Sequence, residues 1–531
     1  MLIPRIVPAS TAAALVVLVL TACAPSPEET APDRPAPLIV IGIDGADWGV
    51  IRDLWDEGRL PHLRALADRG VSAELRTRYA SSPVIWTTIA TGHRPQEHGI
   101  TDFVVATPEG DVPVSSTVRR VPALWNMVST VERSVAVLGW WASWPAEPVN
   151  GVVVSDRALL DTHGRVSPEE LLPRFEELAA EALAAPSAFD SNAAASARDQ
   201  VTAHLAPLLA NDGHDLMLVY FRGVDISSHN YWKYYRPESF DPDQVDAEGL
   251  AAFAHRIPEE YEAVDQAIGA LLATADPEPN VLVISDHGFD PAREEIVKVV
   301  LDFDRLLAEL GLLTYQGDEI DFANSQLYTY ASPHFRATKW LRYALASRPE
   351  GGSVQDSERP ALRQRLEQEL ARITYGNGTP VFTVRAPKGA EKRREVDLVV
   401  EVDVRQPTLD LLRDGRPAFE GVIQTISRVS GTHGSNTHGI LLAAGPDVDP
   451  NANLEGIRIH DMAPTILYGL GLPVGEDFAG KAWVELYQRD FQQRFPLQTV
   501  ATWGSQDEGF ASPSAQDQQL MDELRALGYI D

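Results

Sequence analysis

Leu38-Ile39-Val40-Ile41-Gly42-Ile43-Asp44-Gly45 runs through six mostly β-forming apolar residues and stops on an acid followed by glycine. Short continuous runs of Val, Ile and Leu mark strands covered on both faces, as in an α/β sheet. The same signature recurs at Val135–Leu138, Val152–Val154, Leu216–Phe221, Val281–Ile284 and Ile440–Ala444, with helical patterns between them. The expected fold is α/β with a mostly parallel central sheet. A helix start is expected at Ser167-Pro168-Glu169-Glu170, which offers a capping Ser, Pro in the first turn and Glu three residues after the cap. Further helical stretches are Ala361–Ile373 and, near the end, Leu520–Tyr529.

Open α/β sheets bind ligands beyond the carboxyl ends of their strands. Four polar clusters lie in such places. Asp44 ends the first run and suits either a metal ligand or an ordinary turn. Ser81-Ser82-Pro83-Val84-Ile85-Trp86 places hydroxyls just before an apolar helical stretch. A Ser there can present itself to a phosphate at a helix N-terminus, or simply cap the helix. Asp225-Ile226-Ser227-Ser228-His229 follows Leu216–Phe221. Its i, i+4 spacing puts carboxylate and imidazole on one helix face, as metal ligands or as a surface pair. Ser285-Asp286-His287-Gly288 follows Val281–Ile284, and two later histidines lie in Gly431-Thr432-His433-Gly434-Ser435-Asn436-Thr437-His438-Gly439.

Taken in order, Asp44, Ser82, Asp225 with His229, Asp286 with His287, and His433 before the strand Ile440–Ala444 resemble the alkaline phosphatase superfamily. The branch resembled is the type I phosphodiesterase/nucleotide pyrophosphatase group, over about Pro37 to Trp483. Thr91-Gly92-His93-Arg94-Pro95, His98-Gly99-Ile100 and His460-Asp461-Met462-Ala463-Pro464-Thr465 add to the match. The resemblance implies a three-layer alkaline-phosphatase-like sandwich and a phosphoric ester hydrolase, a phosphodiesterase or phosphatase. It implies one divalent ion on Asp44, Asp286, His287 and the Ser82 oxygen, and another on Asp225, His229 and His433. Oxygen and imidazole donors suit zinc, with manganese or iron as alternatives. Ser82 would be the nucleophile, passing through a phosphoseryl intermediate, and the backbone N–H groups after it would help offset charge on the transferring group.

The sequence departs from that branch in places. Its nucleophile is commonly Thr, and Phe103 stands where an Asn is expected. Arg94 is a candidate replacement contact, and Trp232 in Tyr231-Trp232-Lys233-Tyr234-Tyr235 a candidate substrate contact beside His229. His433 is preferred to His438 because glycines flank it as in the family. Among competing readings, a sulfatase needs Arg where Ile85 stands. A phosphomutase relative and an inactive surface-binding lipoprotein also share the expected fold.

The chain has 531 residues, 44% hydrophobic and 23% charged, as in globular proteins. Its single cysteine, Cys23, excludes an intrachain disulfide and Cys-rich zinc sites. It closes Leu20-Thr21-Ala22-Cys23, after Arg5 and the apolar run Thr11–Ala22. That run is too short for a span and fits a secretory signal. The ending resembles a bacterial lipobox, implying a lipidated Cys23 and an exported, membrane-anchored protein. The net charge of −31 argues against nucleic acid as a bulk partner. The expected substrate is a phosphate-ester small molecule or a lipid headgroup. The expected organisation is a signal peptide (1–22), a lipidated Pro-rich tether (23–36), a catalytic core (37–294 and 426–485), an inserted cap (295–425) and a C-terminal tail (486–531).

Overall fold

In this computed structural model the described residues are 34–107, 110–189, 193–317, 319–330, 338–393, 395–434, 437–506 and 513–527. The signal-peptide segment, Cys23 and all of the tether before Arg34 lie outside them. The chain divides into two units, Met1–Arg34 and Pro35–Asp531, and the second carries the sheet and every candidate site residue except Cys23.

The central sheet uses eight strands: β1 (Leu38–Ile43), β2 (Val71–Leu75), β3 (Val135–Leu138), β4 (Gly151–Val154), β5 (Val166–Ser167), β6 (Leu216–Phe221), β7 (Asn280–Ile284) and β10 (Gly439–Ala444). A separate ribbon pairs β8 (Asp290–Leu301) with β9 (Ile423–Thr432). The sheet order is β2-β10-β7-β1-β6-β3-β4-β5. The five strands from β7 to β4 are mutually parallel. The outer strands β10, β2 and β5 pair antiparallel. Each apolar run read from the sequence is a strand here, within one residue at each end.

Both faces of the sheet are covered, which is why its strands read as unbroken apolar runs. On β1, Leu38 and Val40 join a core with Trp86, Leu124 and Ile466, while Ile39, Ile41 and Ile43 join one with Leu54, Val201 and Ile268. The helices around the sheet include α1 (Trp48–Asp56), α2 (Ser82–Thr91), α3 (Ala193–Asn211), α4 (Gly223–Tyr235), α5 (Arg256–Thr274) and α6 (Asp517–Leu527). Gly42 is required on β1 because a Cβ there would lie 2.8 Å from the Trp86 ring.

Two features differ from the sequence reading. The helix expected at Ser167 begins at Leu172, after a 3-10 turn at Glu169–Leu171. Ser167 pairs with Val153 in the sheet instead, and Pro168 stays extended, so neither caps the helix. The residues after 486 are also built into the core: Phe491, Leu520 and Leu524 are buried with the β1 and α2 side chains.

Between the two strands of the ribbon lies a module with its own core, in which Leu306, Leu341, Leu366 and Val400 pack together. It contains a four-stranded antiparallel sheet of Leu327–Tyr330, Thr338–Tyr343, Leu398–Val402 and Phe382–Arg385. Helix Arg359–Ala371 covers the place where Ala361–Ile373 was read as helical, and Ile373 opens a strand.

Candidate active site

The carboxyl ends of β7, β1 and β6, neighbours in the sheet, carry Asp286–His287, Asp44 and, one turn into α4, Asp225. Register fixes this: Ile43 pairs with Phe221, and Gly42 with Ile284. Three acids from distant parts of the sequence therefore meet at one edge. Gly45 turns the chain away from the site at φ 69°, and a Cβ there would stand 3.0 Å from the Asp225 backbone.

Asp44, Asp225, Asp286 and His287 are all at most 1% exposed. His287 Nε2 lies 3.5 Å from Asp44 Oδ1, 3.8 Å from Asp225 Oδ1 and 3.4 Å from Asp286 Oδ2. Asp225 Oδ1 is also 3.5 Å from His229 Nε2. Candidate ligand atoms of Asp44, Asp225 and His287 lie within 4.8 Å of one another, as do those of Asp225, His229 and His433. Asp225 belongs to both groups and stands between them. Asp286 flanks His287, with its Oδ1 accepting from Gly45 N at 3.2 Å. The His433 ring stacks on His287, centroids 3.5 Å apart, and lies 5.1 Å from His229. His438 belongs to neither group.

Ser82 is buried at the start of α2, and its hydroxyl donates to Asp44 Oδ1 at 3.4 Å. The helix start supplies fewer backbone donors than expected. Pro83 has no N–H, and the N–H groups of Val84 and Ile85 are bonded to Ser81 O. Arg94 lies past the far end of this ten-residue helix, about 15 Å along its axis, exposed and paired with Glu97 at 3.0 Å. It is not brought to Ser82. Trp232 is buried and stacks on Phe289, whose ring abuts His229, His287 and His433. It supports the histidines through Phe289. Phe103 packs edge-on against Trp141.

The electrostatics are those of anions crowded out of water. Burial, and then the charge of Asp44, push Asp225 well above the usual carboxylate range. Burial and the charges of Asp44 and Asp225 do the same to Asp286. Burial holds His287 below the usual imidazole value, favouring the neutral ring that can ligate a metal. Asp286 Oδ2 and His287 Nε2 are buried with no hydrogen bond among the described residues. Buried polar atoms are nearly always satisfied. The donor set fits a divalent cation, which would supply both the missing partner and the missing charge.

Several contacts at the site go beyond the motifs. Tyr220, on β6, donates to Asp44 Oδ2 and receives the indole N–H of Trp141 at 2.6 Å. Ser285 Oγ accepts from Ala46 N at 2.9 Å and donates to His287 O at 2.7 Å, tying the β1 loop to the β7 loop. His229 Nδ1 lies 3.0 Å from Gly431 O, which fixes its ring and leaves Nε2 toward Asp225. Asp199, on α3, accepts from Arg222 N and Gly223 N at 3.0 and 2.7 Å and so caps α4 from another helix. The one signal available in sequence is that Arg222 directly follows the apolar run.

The model of the type I phosphodiesterase/nucleotide pyrophosphatase family matches residues 38–411. The chain belongs to that family and is a hydrolase of phosphoric esters. No curated protein matches the chain. Among solved structures, the murine ectonucleotide pyrophosphatase/phosphodiesterase 5 is 14% identical, with 85% of this chain and all of that one covered at a TM-score of 0.42. The human form is 13% identical, with the same coverages and a TM-score of 0.43. Phosphonoacetate hydrolase from Sinorhizobium meliloti, solved with phosphonoformate, is 15% identical, covering 82% of this chain and 95% of that one at 0.43.

Proposed function

We propose that the chain hydrolyses a phosphodiester, with Ser82 as nucleophile and two divalent metal ions, zinc by preference, as cofactors. The observation that carries the reading is the convergence of three buried acids and three histidines on a buried serine. Asp44, Asp286, His287 and Ser82 would hold one ion and Asp225, His229 and His433 the other, with Asp225 close enough to serve both. Bound there, the ions would lower the pKa of a hydroxyl and offset charge on phosphoryl oxygens.

The chain's own part follows from the geometry. Ser82 Oγ, held by Asp44, attacks phosphorus as the bond to the leaving alcohol breaks, giving a phosphoserine. Water then attacks phosphorus and releases Ser82. Two in-line displacements retain configuration. Buried walls keep bulk water from the nucleophile, which strengthens every charge interaction there.

Ser82→Ala tests this with bis-p-nitrophenyl phosphate, metal content being read on the same sample. Loss of at least about 10³-fold in turnover with metal retained is expected; unchanged turnover removes Ser82 from the role. Hydrolysis of p-nitrophenyl sulfate alone would favour the sulfatase reading. We also propose export and lipid anchoring through Cys23. Cys23→Ser should release the protein from membranes, and persistent membrane association would oppose the anchor.

A further inference from the structure

Asp44 and Asp286 each have one carboxylate oxygen already occupied by the protein. Asp286 Oδ1 accepts from Gly45 N at 3.2 Å. Asp44 Oδ2 accepts from the phenol of Tyr220. The two remaining oxygens face one atom: Asp286 Oδ2 lies 3.4 Å and Asp44 Oδ1 3.5 Å from His287 Nε2. Ser82 Oγ also reaches Asp44 Oδ1, at 3.4 Å. One oxygen from each acid, one ring nitrogen and one hydroxyl make four donors, the number a tetrahedral ion takes.

The direction of the Tyr220 proton follows by elimination. An indole N–H can only donate, and an ionised carboxylate can only accept. Trp141 Nε1 donates to the phenol oxygen at 2.6 Å, so the single phenol proton goes to Asp44. The ring is held in place on two sides. Tyr220 pairs with Gly42 between β6 and β1, and Trp86 of α2 meets its ring edge-on at 5.0 Å. A Cβ on Gly42 would lie 2.8 Å from Trp86 and 3.3 Å from Tyr220. The bare glycine therefore lets the phenol lie against β1, two residues before Asp44. The bond to Asp286 comes from the main chain, whereas the bond to Asp44 depends on one side-chain oxygen.

We propose, resting on the two-ion reading of the site, that Tyr220, aimed by Trp141, is a positioning residue that confines Asp44 to one coordinating oxygen. This selects a four-coordinate ion such as zinc over one that takes six donors, such as manganese. A carboxylate can bind an ion through one oxygen or both, and manganese suits the larger number of oxygen donors. Without the phenol hydroxyl, Asp44 Oδ2 would turn to the ion beside Oδ1 and add a donor. The effect is confined to one ion, because Asp44 belongs with His287 and is absent from the set of Asp225, His229 and His433.

Stepwise metal binding by the full-length protein tests this in wild type, Tyr220→Phe and Trp141→Phe, read by calorimetry against a competing chelator with zinc and with manganese. In Tyr220→Phe one zinc step should weaken about 10–100-fold, as loss of a hydrogen bond to a ligand does, while the other step holds. The ratio of zinc to manganese affinity at that step should fall at least about tenfold. Cobalt in place of zinc reports the geometry: the strong visible bands of a four-coordinate ion should lose part of their intensity in Tyr220→Phe. Trp141→Phe should move the same step the same way by a smaller factor. Combined with Tyr220→Phe it should add little, since the two side chains act in one chain of hydrogen bonds. Equal weakening of both steps would make Tyr220 a purely structural residue and overturns the proposal. So does an unchanged zinc-to-manganese ratio with an unchanged cobalt spectrum. If wild-type protein takes up no ion, the two-ion reading falls and this inference with it; two wild-type steps that Tyr220→Phe leaves alone remove this inference and keep that reading.

Discussion

Tyr220→Phe removes one oxygen atom and leaves the ring that packs against Trp86 at 5.0 Å. That oxygen holds two bonds: it donates to Asp44 Oδ2 and accepts from Trp141 Nε1 at 2.6 Å. Both partners are buried, so neither finds water when the oxygen goes. A hydrogen bond to a charged group contributes about 1.5–3 kcal/mol and a neutral one about 1 kcal/mol. The expected loss is about 3 kcal/mol. Unfolding entropy of about 2.1 cal/mol/K per residue over roughly 500 residues converts this to a fall of about 3 °C in Tm. Scanning calorimetry at saturating zinc, and again with chelator, measures it. The chelated sample should show the full loss, because Asp44 Oδ2 has no other hydrogen-bond partner among the described residues. A shift below about 1 °C in chelator would show that this oxygen stabilises neither Asp44 nor Trp141.

The buried acids lead to two further outcomes. Asp225→Asn should act with opposite signs: burial and Asp44 push the Asp225 pKa up, so losing its charge raises Tm in chelator at pH 8, while losing a ligand lowers Tm in zinc. The same sign in both conditions would refute the crowding of charge at the site. Asp199 is held up to about 7 from an ordinary 3.8, chiefly by burial. The folded state therefore binds the extra proton between those values. Stability falls as pH rises from about 4 to about 7 and is flat above. Asp199→Asn should remove that component, about 4 kcal/mol at most, seen as a divergence of the two Tm–pH curves; parallel curves would refute it.

What could be read ahead of the structure depended on range along the chain. Leu38–Ile43 and Leu216–Phe221 announce their strands because a strand covered on both faces needs no alternation. Asp286–His287 and Asp225–His229 announce themselves because both members sit within one turn or at one strand end. Ser167 misled because its local capping signal lost to pairing with Val153, a preference set by the sheet. Tyr220 was hidden inside an apolar run, where a phenol reads as one more strand residue. Asp199 could not be found at all, since the backbone it caps lies more than twenty residues later. The shortage of donors at Ser82 is legible in the sequence itself: Pro83 alone removes one that a helix start would give a phosphate.

The ribbon explains how a site assembled from such distant residues accommodates a large module between two of its supporting strands. Asp290 pairs with Thr432 and Pro291 with Gly431, so Asp286–His287 just precede one foot of the ribbon and His433 just follows the other. Helix α4 packs against the same foot: Lys233 N donates to Ser430 Oγ at 3.1 Å, and His229 meets Gly431 O. The spacing of His229, His287 and His433 is thereby set at the base, by main-chain pairing that does not depend on side chains farther out. Beyond Leu301 and before Ile423 the module has its own core. Its sequence can then vary under its own packing constraints without moving the ligands, because the strain of any change is absorbed beyond the base.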